Sequence, residues 1–204
     1  MTETTLGRRS SDRRNRDSEV LQAAIKVFFE KGYAAASVQD VADVVGVLKG
    51  SLYHYISSKE DLLLRIFDGS HTQAVQIMEA VASRDLPPRQ RLESYLNEIV
   101  HWYLANIERV SLYFNEWHYL TGENAETVRK HRRVFSQYIR DILEAAPGDL
   151  RPGIDPRLAT YFILGAVNNI PVWYKRNGPY SAARVASEYA SMAVAVVFTE
   201  VAVV

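Results

Sequence analysis

The sequence predicts an all-α protein of about nine helices, a small amino-terminal helical domain followed by a larger one. Three observations carry this. Apolar residues recur at helical spacing through almost the whole chain, and no segment alternates apolar and polar residues as a half-buried strand does. The breaks fall on strong helix breakers, at Thr121-Gly122, Pro147-Gly148, Pro152-Gly153 and Gly178-Pro179.

The first helix, from about Asp17 to Lys31, sets Leu21, Ile25, Phe28 and Phe29 on one face, with Val20 and Ala24 beside them. Gly32-Tyr33 closes it. Ser37 opens a short second helix carrying Val38, Val41, Ala42 and Val45, Gly46 breaks that helix, and a third supplies Leu52 and Ile56. Together they make a compact three-helix core, so residues 17–62 form one domain and 63–204 the other. A fourth helix starts at Ser58, whose hydroxyl caps free N–H groups while Glu60 and Asp61 complement the positive helix end. It runs to about Ser83 and links the two domains, ending at Asp85-Leu86-Pro87-Pro88. Five further helices follow, over 88–106, 108–120, 124–145, 155–177 and 181–201. Pro171 sits inside the fourth of these and kinks it near 167–170, either as a plain bend or with a freed carbonyl facing a cavity.

Lysine plus arginine equals aspartate plus glutamate, at 24 each, so any contact with nucleic acid is local and not a general coating. Residues 1–16 concentrate Arg8, Arg9, Arg13, Arg14 and Arg16 against Glu3 and Asp12, a flexible basic arm that either neutralises phosphates or only solubilises the chain. No cysteine is present, which removes disulfides and thiolate metal sites and fits a reducing cytoplasmic setting. The amino terminus is polar, and the most apolar stretch, 189–204, is interrupted by Glu200 and too short to span a membrane, so no membrane partner is expected. An all-helical enzyme is the rival class. Against it, His54, His71, His101, His118 and His131 are scattered without zinc-helix spacing, and no phosphate loop, nucleophile motif or cofactor motif appears.

The stretch between residues 32 and 62 carries the functional signal. A short helix, the Gly46 turn and a second short helix holding Lys49, Gly50, Ser51, Tyr53 and His54 are how a helix-turn-helix presents polar side chains to a DNA groove. Ala24 and Phe28, Gly32-Tyr33, Ser37, Val41-Ala42, Gly46-Val47, Gly50-Ser51-Leu52-Tyr53-His54-Tyr55 and Ser58-Lys59-Glu60-Asp61-Leu62 together resemble the amino-terminal domain of the TetR family of one-component repressors. The resemblance implies a homodimer whose paired third helices enter successive major grooves of a palindromic operator in double-stranded DNA. Tyr53 and His54 can bond phosphates at the groove edge, Lys59 can reach one on its flexible stem, and Ser37 can offer its hydroxyl and nearby N–H groups. Lys49, Gly50 and Ser51 sit where a recognition helix meets base edges. Two positions depart from the family pattern: Leu48 stands where a serine or threonine is usual, and Tyr55 replaces a phenylalanine.

Such a regulator needs a switch. Large rings crowd 88–177, and Trp102, Tyr113, Trp117, Tyr138, Phe162 and Trp173, with the amides Asn168 and Asn169, are candidates to line an effector pocket. A solid aromatic core explains the same rings. The stretch Trp173-Tyr174-Lys175-Arg176-Asn177-Gly178-Pro179-Tyr180-Ser181 resembles the loop between the last two helices of TetR regulators of lipid and steroid catabolism, which implies an acyl-CoA or related catabolite as effector; a hydrophobic drug-like compound is the alternative. For an acyl-CoA, Arg129-Lys130-His131-Arg132-Arg133 is either a phosphate site or a solvated face. Gly165 and Ala166, with Tyr189, Met192, Ala193, Val196 and Val197, predict dimerisation through the last two helices, with burial inside the monomer as the alternative.

Overall fold

The computed structural model describes residues 3–199, with side chains from residue 15 onward. Its helices are α1 (Glu3–Lys31), α2 (Val38–Val45), α3 (Lys49–Leu52), α4 (Lys59–Ala82), α5 (Pro88–Ala105), α6 (Ile107–Asn115), α7 (Gly122–Glu144), α8 (Pro156–Asn168), α9 (Ile170–Trp173) and α10 (Ala182–Val197), with a 3-10 turn at Trp117–Tyr119. The β structure among the described residues is a single antiparallel bridge between Leu150 and Phe198.

Three boundaries differ from the sequence reading. α1 starts at Glu3 and not near Asp17, because nothing in the basic leader forbids the helix: the segment has no proline. Arg8, Arg9, Arg13 and Arg14 lie outside the residues with described side chains, while Arg16 pairs with Glu19 at 2.9 Å. The helix expected over 108–120 stops at Asn115, and the one expected over 155–177 stops at Asn168, where Pro171 permits only the single turn of α9.

Local chemistry explains the head. Ser37 and Asp40 form a capping box at the start of α2, in which the Ser37 hydroxyl accepts from the Asp40 amide at 3.2 Å and Asp40 Oδ2 accepts from the Ser37 amide at 2.8 Å. Gly46 takes the left-handed conformation (φ 76°) that closes α2 and turns the chain into α3. Val20, Ala24, Phe28, Val41, Ala42 and Leu52 are fully buried. Phe29 is an exception to the predicted stripe: it faces solvent, because Phe28 already occupies the core direction and its neighbour lies about 100° further round the helix.

The core does not divide at residue 62. The head cluster takes in Leu62, Leu63, Ile66 and Phe67 of α4 and continues into Leu112, Tyr113, Leu120, Ala125 and Val128 of the second domain. A second cluster is built by α5 and α10, which lie side by side, with contributions from α4, α7 and α8. α4 therefore belongs to both cores.

Candidate functional site

The head presents a short polar surface. Lys49, Gly50 and His54 are exposed, Ser51 is partly exposed, and Tyr53 keeps 49% of its surface open. Leu52, between them, is fully buried and anchors α3 to the core. Leu48 precedes α3 with its side chain 81% exposed and makes no capping bond, as expected for a residue without a hydroxyl.

Lys59 corrects the sequence reading. It was expected to reach outward, but its Nζ donates to the Tyr33 carbonyl, lies 3.4 Å from the Ala34 carbonyl and sits 4.2 Å above the Tyr33 ring. The backbone oxygens past the end of α1 form a partly buried acceptor nest, and desolvation there lowers the ammonium pKa. Ser37 is likewise committed, its hydroxyl donating to Asp40 Oδ2 at 2.7 Å. Asp40 also accepts from Lys31 at 2.6 Å; Lys31 first, then Ser37, pulls its pKa down to about 2.

One carboxylate adds a polar tie between the head and the second domain to the apolar cluster that they share. Glu60, in the first turn of α4, accepts from the Thr121 amide at 3.1 Å and from Asn124 Nδ2 at 3.0 Å, at the start of α7. Those bonds, Asn124 foremost, lower its pKa. Beside them Tyr33 and Tyr119 pack with ring centres 5.1 Å apart, and burial, helped by Glu60, pushes the Tyr33 hydroxyl up to about 12.

Behind this junction lies a cavity of about 410 Å³ bounded by α4, α5, α6, α7 and α8. Ala74, Trp102, Tyr103, Val110, Phe114, Phe135 and Leu164 supply apolar wall, and Ser70, His71, Tyr113, Arg132, Arg133, Ser136, Tyr161 and Asn168 supply polar groups. The size and mixture are those of a small-molecule site. His71 stacks flat on His131 at 3.7 Å, and His131 Nδ1 stands 3.8 Å from Asp68 Oδ1. Burial, then His131, pushes His71 down to about 4; burial also lowers His131 against the opposing pull of Asp68, whose own pKa burial raises.

Of the predicted pocket residues, Trp102, Tyr113 and Asn168 line this cavity. The others lie elsewhere. Trp117 packs against the head cluster with the Arg132 guanidinium over it at 5.2 Å, and Tyr138 meets Tyr95 edge-on in the core. Trp173 stacks on Tyr189, Asn169 caps α8 in solvent, and Phe162 is 57% exposed on the outer face of α8. Of the predicted interface residues, Gly165, Ala166, Met192 and Val196 are exposed and Tyr189 is half-buried, but Ala193 and Val197 point into the monomer core.

His71 and Arg132 were missed, and both had a visible signal. His71 follows Phe67 by four residues and precedes Ala74 by three, so it falls on the apolar stripe of α4. Arg132 falls on the stripe Ala125, Val128, Phe135, Ile139, although it lies within a run of charge. That run is not a free cationic face: Arg129 and Arg133 both pair with Glu126, at 3.0 and 2.7 Å, and Arg132 turns inward.

Residues 20–66 match the family model described as bacterial regulatory proteins, tetR family, and residues 85–197 match the tetracyclin repressor-like C-terminal domain. The chain belongs to the TetR family. It is a DNA-binding transcriptional regulator and not an enzyme. Its TetR relatives include the HTH-type transcriptional repressor KstR2 of Mycolicibacterium smegmatis, 32% identical over 86% of this chain and 87% of that protein. The ketosteroid transcriptional regulator KstR2 of Mycobacterium tuberculosis has a similar structure, with a TM-score of 0.84 at 25% identity, over 91% of this chain and 96% of that one. AibR in complex with isovaleryl coenzyme A and operator DNA shares the fold at 24% identity, with a TM-score of 0.80 over 87% of this chain and 97% of that chain. Within the TetR frame, α2 and α3 are the helix-turn-helix and the cavity lies in the C-terminal domain. Among the described residues, no helix is long and apolar enough to cross a membrane.

Proposed function

We propose that this TetR regulator is a homodimeric repressor that occupies a palindromic operator and leaves it when an acyl-CoA or related lipid or steroid catabolite enters the cavity. The cavity of about 410 Å³ carries the reading, because its wall includes α4, the helix whose first turn holds the head through Glu60. An apolar acyl or ring body fits inside, and the nucleotide of a coenzyme A lies outside. At the cavity wall, Arg157 and after it Arg140 lower the pKa of the exposed Tyr161 hydroxyl, which sets positive charge on that side. The similarity to a ketosteroid regulator and to a regulator in complex with isovaleryl coenzyme A and operator DNA supports the effector class.

The dimer is supported by an apolar face with no partner in the monomer. Leu158, Phe162, Gly165 and Ala166 on α8 and Met192 and Val196 on α10 are all exposed, apolar surface of the sort that a partner subunit covers. DNA would then be held by Lys49, Gly50, Ser51, Tyr53 and His54 of each head, while Ser37 fixes α2 and Lys59 fixes the end of α1.

The test is operator binding by gel shift or anisotropy, with and without isovaleryl-CoA and a steroid-derived acyl-CoA. A loss of about tenfold or more in affinity with one of them is expected, within the usual range of allosteric coupling. No loss with any acyl-CoA, or a monomer by light scattering at micromolar concentration, overturns the reading. Phe162→Glu is expected to yield that monomer and to abolish tight operator binding.

A further inference from the structure

The cavity's polar groups are concentrated where α4, α6 and α7 meet, next to the head. Tyr113 is 8% exposed and its hydroxyl has no protein hydrogen-bond partner; Arg132 Nη1 and His71 Nδ1 are likewise buried and unpartnered. All three residues line the cavity. Packing holds each one in place without satisfying it: Tyr113 meets Phe67 edge-on at 5.2 Å, Arg132 covers Trp117, and His71 lies on His131. Polar atoms buried this way are costly unless something pairs with them. Tyrosine and arginine bring donors, and an arginine has no acceptor at all, so the missing partner is an acceptor.

We propose that this end of the cavity is an oxygen-acceptor site, where the Tyr113 hydroxyl and the Arg132 guanidinium donate to a carbonyl or carboxylate oxygen on an otherwise apolar ligand. The proposal rests on the reading of the cavity as the effector pocket and names the chemical group that the pocket selects. His71 adds no charge near neutral pH, being pushed down to about 4, so the cations on the cavity wall are Arg132 and Arg133, the second paired with Glu126. Burial foremost raises the Tyr113 pKa against the pull of Arg132, helped by Asp68, which is close to His131. Because Tyr113 rests on Phe67 of α4, a ligand that draws in its hydroxyl also loads the helix that leads to the head.

Decanoate, 2-undecanone and decylamine test this without DNA, by quenching of tryptophan fluorescence on the full chain, since Trp102 lines the cavity. The two oxygen-bearing probes are expected to bind about tenfold or more tightly than the amine. Tyr113→Phe, which keeps the ring and hence the packing, is expected to weaken both; Arg132→Gln is expected to weaken decanoate more than the ketone. Equal binding of all three probes, no binding by either oxygen-bearing probe, or unchanged affinity in Tyr113→Phe overturns the site. A probe that binds as described yet leaves the operator occupied counts against the repressor-release reading alone.

A second inference stands on a different observation. Leu48 is 81% exposed at the start of α3, next to Lys49, and it can neither cap the helix nor bond a phosphate. We infer that Leu48 reads a thymine 5-methyl group, the apolar feature that a major groove offers. Operator duplexes selected from a randomised library by the wild-type protein, then scanned with deoxyuridine for thymidine, remove that methyl and nothing else. One position in each half-site is expected to lose about fivefold in affinity or more, of the order that a lost methyl contact brings, and Leu48→Ala is expected to bind both duplexes alike. No uracil-sensitive position, or the same sensitivity in Leu48→Ala, overturns it.

Discussion

Among the described residues, the head buries no side-chain nitrogen or oxygen without a hydrogen-bond partner, whereas the C-terminal domain buries eight such atoms, on Asp68, His71, Arg91, Tyr113, His131, Arg132, Tyr138 and Arg140. Helix starts do not divide the molecule in the same way: α2 begins on the Ser37–Asp40 box and α4 on Ser58, which accepts from the Asp61 amide at 3.0 Å, but α3 has no side-chain cap, while α8 and α10 are capped by Asp155 and Ser181 and α5, α6 and α7 are not. A head that must fit a rigid groove repeatedly gains from having one shape, and the pairing of its buried polar atoms serves that shape. A domain that answers to a ligand has to be incomplete without one, and three of its eight unpaired atoms, on His71, Tyr113 and Arg132, belong to residues that line the void.

The largest test of this contrast is a pair of phenylalanine truncations. Phe28 is fully buried and meets Tyr33 edge-on at 5.2 Å, so Phe28→Ala leaves a hole that the three short helices cannot collapse into. A cost of about 3–5 kcal/mol in urea unfolding is expected, with loss of operator binding. Phe135 is half-buried and already borders open space, so Phe135→Ala merely enlarges the cavity, for a cost of about 1–2 kcal/mol. Equal costs would show that the two cores are packed alike and break the comparison.

The difference between the two regions also decided how much could be read from the sequence. The caps, turns and buried stripe of the head depend on residues within a few positions of each other, and Ser37, Gly46 and Ser58 announce themselves. The failures there were of another kind. Lys59 finds its partners 26 and 25 residues back, at Tyr33 and Ala34, a contact no local pattern contains. In the second domain, helical periodicity gave the apolar faces but not what each face meets. Tyr138 met another ring, Phe162 met solvent, Trp102 met a void, and all three carry the same signal in sequence. Treating Arg132 only as one member of the 129–133 run, whether as phosphate site or as solvated face, was the instructive miss, because its own helical register places it on the buried side.

Helix caps supply the next, smaller test. Ser58→Ala removes the acceptor for the Asp61 amide and is expected to cost about 1 kcal/mol. Thr121→Ala removes no cap bond, only a long contact of 3.4 Å to Glu60, and is expected to cost less than about 0.5 kcal/mol in chemical denaturation. A Thr121→Ala penalty as large as that of Ser58→Ala would mean the head-facing end of α7 is as tightly specified as the head itself.

The mildest perturbation is pH, and it separates the regions by sign and by range. His71 titrates at about 4 in the folded protein against a usual 6.5, so the unfolded chain binds the proton first. Its contribution to stability is therefore complete above 6.5 and is lost progressively as pH falls towards about 4. Asp40 in the head is pulled from 3.8 to about 2, so its contribution persists down to 3.8 and is lost only as pH falls through about 2. Between about 6.5 and 4 the C-terminal domain should soften while the head keeps its protection. Of the three tryptophans, Trp102 and Trp173 lie away from the head and Trp117 packs against its cluster, so a Trp117→Phe protein's fluorescence follows the C-terminal domain and amide exchange in α2 follows the head. His71→Phe, which cannot take up the proton, is expected to flatten the fluorescence change. Should α2 lose protection in step with the tryptophan signal, the shared cluster around Phe67, Leu112 and Val128 makes the two regions one cooperative unit, and the contrast between them is confined to chemistry and does not extend to stability.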